Sequence, residues 1–175
     1  MTDYLYHVTA AHNLEGIADH GLRSGGSSSF GGGYAGHAQG RVFLAERDAV
    51  RCWWGKIEDL VEHHSEGRDI IPELQVPVVL RVRKAPLKRL LTDDELGSRD
   101  CIGGKSFFIQ GGAIDPGEVS VWDGRSWSNV RSVEPEEVIR AYVKSVKVID
   151  GDEDGEEGED GWTEVELKLP GSWPW

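Results

Sequence analysis

The chain has 175 residues, 38% apolar and 29% charged, with 23 Gly and 7 Trp, which suits one domain with a real core and argues against global disorder. The formal charge is −12, but the run 150–161, DGDEDGEEGEDG, holds eight acids and no base, so the remainder, with 23 acidic and 19 basic residues, is only mildly acidic. A basic footprint for nucleic acid is absent overall, although Arg81, Arg83, Lys84, Lys88 and Arg89 form a local basic cluster.

In chain order, 4–9 (YLYHVT) is aromatic and β-branched and predicts a strand. Residues 12–22 predict a helix, with Asn13 as N-cap, Leu14, Ile17 and Ala18 on one face, and Gly21 as the stop. The Ser/Gly-rich stretch 24–40, holding Phe30, Tyr34 and His37, reads as a long functional loop. A strand is expected at Arg41–Ala45 and a helix at 48–64, with Ala49, Cys52, Trp53, Ile57, Leu60 and Val61 spaced for burial. Further strands are expected at 76–82, 106–109 and 118–122, and 87–96 is ambiguous. Pro135 opens a helical turn with acids behind it. Alternation in 142–149 and in Thr163, Val165, Leu167 and Leu169 predicts a hairpin whose loop is the acidic run. The order of elements argues for α+β: helices set against a largely antiparallel sheet, in one domain spanning 1–175.

No apolar run approaches the roughly 20 residues of a membrane span, and the N-terminus has neither a basic n-region nor an apolar core. With two cysteines, Cys52 and Cys101, and no metal-ligand spacing, reduced and partly buried thiols and a cytoplasmic location are the expectation. The acidic run opens like a calcium loop, but its twelfth position is Gly161 where a bidentate Glu belongs. It reads instead as a solvated loop, with a basic protein as the partner its charge would suit. His63 and His64, at a helix end, complement the dipole better than they bind a metal. No P-loop or nucleophile elbow is present.

The segment that carries chemistry is 6–54. It sets a strand-borne His7, then Thr9, Asn13 and Gly21-Leu22-Arg23, then a glycine loop, then Phe43, then Trp53 and Trp54. A strand-end imidazole can hydrogen-bond a sugar hydroxyl, and a Thr hydroxyl with backbone amides can clamp a carboxamide. Phe43 and Trp54 can sandwich a planar heterocycle, worth about 0.5–1.5 kcal/mol per pair beyond area burial. A glycine loop can close over a long ligand.

The run YHVTAAHNLEGIADHGLR resembles the opening motif of ADP-ribosyltransferases of the diphtheria-toxin and poly(ADP-ribose) polymerase type: His-x-Thr, an Asn six residues after the His, and a helix ending in Gly-Leu-Arg. The block GRVFLAERDAVRCWW resembles that family's aromatic strand and following helix, with Phe43 and Trp54 at the eleven-residue separation of its two stacking rings. The resemblance implies a split, mixed β core with NAD, as substrate, in a cleft, and peripheral helices. It implies that His7 holds a ribose, that Val8 and Thr9 flank the nicotinamide amide, that Asn13 completes the motif, and that Arg23 lies near the adenine–phosphate half. Phe43 and Trp54, or its neighbour Trp53, would be the stacking rings. The family's third motif is a Glu on a later strand. In KSFFIQGGAIDPGEVSVW its expected place holds Ser106, with Gln110 four residues on and Glu118 on the next turn, so His7, Ser106, Gln110 and Glu118 are the candidate catalytic residues. Losing such a transition-state anion can cost about 2.7–4 kcal/mol. The implied activity is a toxin-like transfer of ADP-ribose to a protein or nucleic-acid acceptor with release of nicotinamide. The alternatives are a non-catalytic binder of NAD, ADP-ribose or a partner protein, and an NAD-dependent RNA 2′-phosphotransferase, whose N-terminal Arg-His element is not found ahead of His7.

Overall fold

The computed structural model describes residues 4–24, 40–61, 76–92, 104–149 and 162–167. Eleven strands lie within them: β1 Tyr4–Ala10, β2 Leu22–Arg23, β3 Arg41–Ala45, β4 Pro77–Arg83, β5 Leu90–Thr92, β6 Ser106–Gln110, β7 Ala113–Ile114, β8 Val119–Trp122, β9 Trp127–Asn129, β10 Val143–Ile149 and β11 Trp162–Leu167. Three α-helices accompany them: α1 Leu14–His20, α2 Val50–Val61 and α3 Pro135–Tyr142. The fold is α+β, as expected. No helix among the described residues is long and apolar enough to cross a membrane.

Seven strands form one sheet in the order β5-β6-β3-β1-β4-β8-β9, and every pairing within it is antiparallel. The split, mixed core implied by the resemblance therefore differs from this continuous hydrogen-bonded order. The nearest feature to a split is the β1–β3 contact, which holds a single Cα pair, Tyr6 with Ala45. On its other side β1 pairs with β4 along all seven residues, from Tyr4–Arg83 to Ala10–Pro77. Two small sheets stand beside the large one: β2 with β7, and the predicted hairpin β10 with β11. At both edges of the large sheet the described strand, β5 or β9, is three residues long.

The β-branched and leucine positions of β1, β4 and β8 build the core. Leu5, Val78, Leu80, Val82, Val119 and Val121 are all essentially inaccessible, and each such side chain contributes about 1.5–3 kcal/mol on burial. Leu14 and Ile17 of α1, Val50 and Trp54 of α2, and Val138, Ile139 and Tyr142 of α3 join the same cluster. Where β4 and β8 stop pairing at Leu80–Val121, the Tyr142 hydroxyl fills the gap. It accepts from the Val79 amide at 3.5 Å and donates to the Trp122 carbonyl at 2.9 Å. Burial pushes that phenol far above its ordinary range, so it keeps its proton and can donate.

Both α1 and α2 are entered through a 3-10 turn, Ala11–Asn13 and Arg47–Ala49, so the helices begin later than the sequence predicts. Gly21 ends α1 with φ 77°, and a Cβ there would lie 2.0 Å from the Ile114 carbonyl oxygen. Only glycine lets β2 approach β7 this closely. The β8–β9 hairpin was not expected from the sequence. Asp123 organises it, accepting from the Arg125 and Ser126 amides and from the Ser126 and Ser128 hydroxyls. Burial alone would raise its pKa, but these four donors together hold it below the usual carboxylate value. Gly124 supplies the positive φ of the turn.

Cys52 is disulfide-bonded, which corrects the expectation of a reduced thiol. A disulfide needs oxidising conditions to form and persist. Cys101, most of the glycine loop with Phe30, Tyr34 and His37, the end of the predicted 48–64 helix with His63 and His64, and the acidic run all lie outside the described residues.

Candidate functional site

The first motif is carried on β1, the second on β3 and the third on β6. These strands are consecutive in the sheet, with β3 in the middle. His7 is half-buried at the place where β1 and β3 part. Its Nδ1 lies 2.8 Å from the backbone carbonyl oxygen of Phe43. A carbonyl only accepts, so Nδ1 carries the hydrogen. Burial pulls the imidazole pKa below 6.5 more strongly than the Phe43 carbonyl raises it, so the ring is neutral at neutral pH and its Nε2 presents a lone pair. That nitrogen is an acceptor suited to a hydroxyl or an amide N–H.

Around it, Thr9 is buried and accepts from the Asn13 side-chain amide at 3.0 Å. Asn13 occupies the N-cap position of α1 as expected, but its side chain makes no capping bond and braces Thr9 instead. Val8, between His7 and Thr9 in sequence, is buried on the alternate face. Arg23 is exposed, and its Nε donates to the His20 carbonyl at 3.0 Å.

Phe43 is half-buried and sits directly across from Phe108 on β6, with ring centroids 6.3 Å apart. Arg41 lies over the same Phe108 ring at 4.4 Å and donates to Gln110 Oε1 at 3.2 Å. The ring packed beside Phe43 is therefore Phe108, tilted by 53°, which the sequence reading did not single out. Trp54 is corrected. It is 1% exposed and stacks on Tyr142 at 5.2 Å with an interplanar angle of 24°, so it belongs to the core and cannot sandwich a ligand with Phe43. Trp53, a neighbour about 100° away around the helix, is half-buried and points its indole N–H at the Ser106 hydroxyl, 3.4 Å away.

Ser106, expected as a catalytic polar group, is 2% exposed and engaged by that indole. Gln110 and Glu118 are brought together. Both line a cavity of about 390 Å³ with Lys88, Arg89, Gly112 and Asp115. Arg89 holds a left-handed backbone, φ 61°, at its edge. Arg23 reaches the neighbourhood of this cavity through the β2–β7 register, opposite Ala113. His7, Thr9 and Phe43 do not line it. A second cavity, of about 640 Å³ between the β8–β9 turn and α3, contains none of the expected residues. Among the described residues no group of three or more His, Cys, Asp or Glu side chains is placed to hold a metal ion.

Two of the three sequence blocks are thus joined by a direct bond, the third lies on the adjacent strand, and Trp54, one of the two expected rings, lies in the core. No family model, curated protein or solved structure matches the chain.

Proposed function

We propose that the chain is an NAD-dependent ADP-ribosyltransferase-type domain that passes ADP-ribose to a macromolecular acceptor and releases nicotinamide. The observation that carries this reading is the bond from His7 to the Phe43 carbonyl. It ties the two blocks that resemble the family's first motifs and fixes the tautomer that leaves Nε2 as an acceptor for a ribose hydroxyl. The adjacency of β6 to β3 supports it, because the third motif belongs on that strand. In this reading Thr9, held by Asn13, and the backbone about Val8 face the nicotinamide amide. Phe43 with Phe108 supplies the aromatic wall, and Arg23 serves the phosphate half. The bond between the nicotinamide nitrogen and ribose C1′ breaks, and nicotinamide leaves with the bonding pair. The acceptor's nucleophile bonds to C1′, and its proton passes to water.

Purified protein with NAD and a mixed acceptor pool is expected to release nicotinamide, and His7→Ala to abolish the release while circular dichroism stays unchanged. Release at the same rate by His7→Ala sinks the proposal. One observation favours a second reading, a non-catalytic module that binds NAD or ADP-ribose. The sequence of β6, SFFIQ, has no carboxylate, and Ser106 is buried under Trp53. Calorimetric titration with NAD and ADP-ribose beside the release assay separates the two, since heat without nicotinamide selects the binder.

A further inference from the structure

The opposite alternation of β1 carries a different cluster. Across β1 and β4, Tyr4 faces Arg83 and Tyr6 faces Arg81, and across β4 and β8, Arg81 faces Ser120. The Arg81 guanidinium carbon lies 4.3 Å from the Tyr4 ring centroid and 4.6 Å from that of Trp127. Trp127 is itself held by Tyr6 at 5.9 Å and Trp122 at 5.6 Å. An arginine clamped between two rings keeps one orientation, so its planar fork of donors is set before any ligand arrives. Its Nε is buried and meets no acceptor among the described residues. Arg83 is exposed two residues along the same face, about 7 Å on. Among the described residues neither Arg81 nor Arg83 meets a carboxylate. Two guanidinium groups on one face that meet no carboxylate among the described residues, in a chain of net charge −12, call for an anion. A carboxylate's two oxygens are filled by one guanidinium fork. Two forks about 7 Å apart on one face match the several oxygens of a free phosphate or successive groups of a phosphodiester backbone.

We propose that this face is a binding site for a phosphoryl group, held by Arg81 and Arg83 against the Tyr4 and Trp127 rings. The site does not rest on the NAD reading, because it uses none of the same side chains. Two sources share the chemistry: free inorganic phosphate and the phosphodiester backbone of a single-stranded nucleic acid. Tryptophan fluorescence and calorimetry at low ionic strength with inorganic phosphate, and separately with a single-stranded oligonucleotide, test it on wild type, Arg81→Gln and Arg83→Gln. Each substitution is expected to weaken binding by about tenfold or more. Arg83→Gln is exposed and disturbs no packing, so it remains decisive if Arg81→Gln loosens the sheet. Tighter binding of the oligonucleotide, with the same loss in both variants, names nucleic acid as the source. Binding of phosphate alone names the free ion. Wild type binding neither probe, or Arg83→Gln binding as wild type does, overturns the site. NAD titration of Arg83→Gln is expected to match wild type, which keeps this test separate from that of the nucleotide site.

Discussion

The two flanks of β1 are built by different means. Toward β4 the strand pairs residue for residue over its whole length, and the side chains there, Leu5, Leu80 and Val82, are sealed in the core. Toward β3 it makes one pair, and a side chain, His7, takes over the bond to the neighbouring strand. The β4 flank satisfies the backbone with backbone. The β3 flank satisfies it with a titratable ring that has a second nitrogen to spare. Tyr142 offers a control inside the same sheet. It too replaces missing ladder bonds, between β4 and β8, but it spends its hydroxyl on both strands and is fully buried. A side chain that closes a ladder is structural when all its polar capacity is used within the protein, and available for a ligand when some is left.

The largest effect should come from the closed flank. Leu80→Ala is expected to cost about 2–5 kcal/mol by urea denaturation while leaving any nicotinamide release per folded molecule intact. Loss of release without loss of stability would break the contrast. Tyr142→Phe leaves the Val79 amide and the Trp122 carbonyl without their bridge. A cost of about 1–3 kcal/mol is expected, again without a change in ligand binding. His7→Gln is expected to do the reverse, losing NAD affinity with a stability change of about 0.5–1.5 kcal/mol, the net worth of one hydrogen bond. The smallest effect is on the pH profile. His7 titrates below 6.5 in the folded chain because burial resists its charging. As pH falls through 6.5 the unfolded chain binds a proton that the folded chain does not, so this residue's contribution is present above 6.5 and is lost toward acid. Urea midpoints measured across that range should fall more steeply for wild type than for His7→Gln, and parallel profiles would mean the ring is not held neutral.

Much of this was legible in the chain itself. The strands at 4–10, 41–45, 77–83 and 106–110 follow from runs of β-branched and aromatic residues, and the 143–149/162–167 hairpin from alternation. The pairing of His7 with the Phe43 segment was suggested only by resemblance, since alternation says which way a side chain points and not which strand lies beside it. Trp53 and Trp54 show the same limit on a helix. Adjacent residues cannot share a face, but which of them turns inward depends on where the helix lands, and here Tyr142, nearly ninety residues later, takes Trp54. Phe108 was missed because its partner is set by register. The β8–β9 hairpin carried a signal that went unused: Asp123-Gly124 between two tryptophans is a turn with a mechanism. The bond at Cys52 had no local signal at all.

The described outer strands of the large sheet, β5 and β9, each span about 10 Å. So short a margin gives another polypeptide only a few hydrogen-bonding groups to copy, and Lys88 and Arg89 stand immediately ahead of β5 with a backbone bent out of the extended form at Arg89. Along the described edges of this sheet, folded copies should therefore resist templated edge-to-edge stacking into fibres, even though its interior is rich in the valine and aromatic runs that favour it.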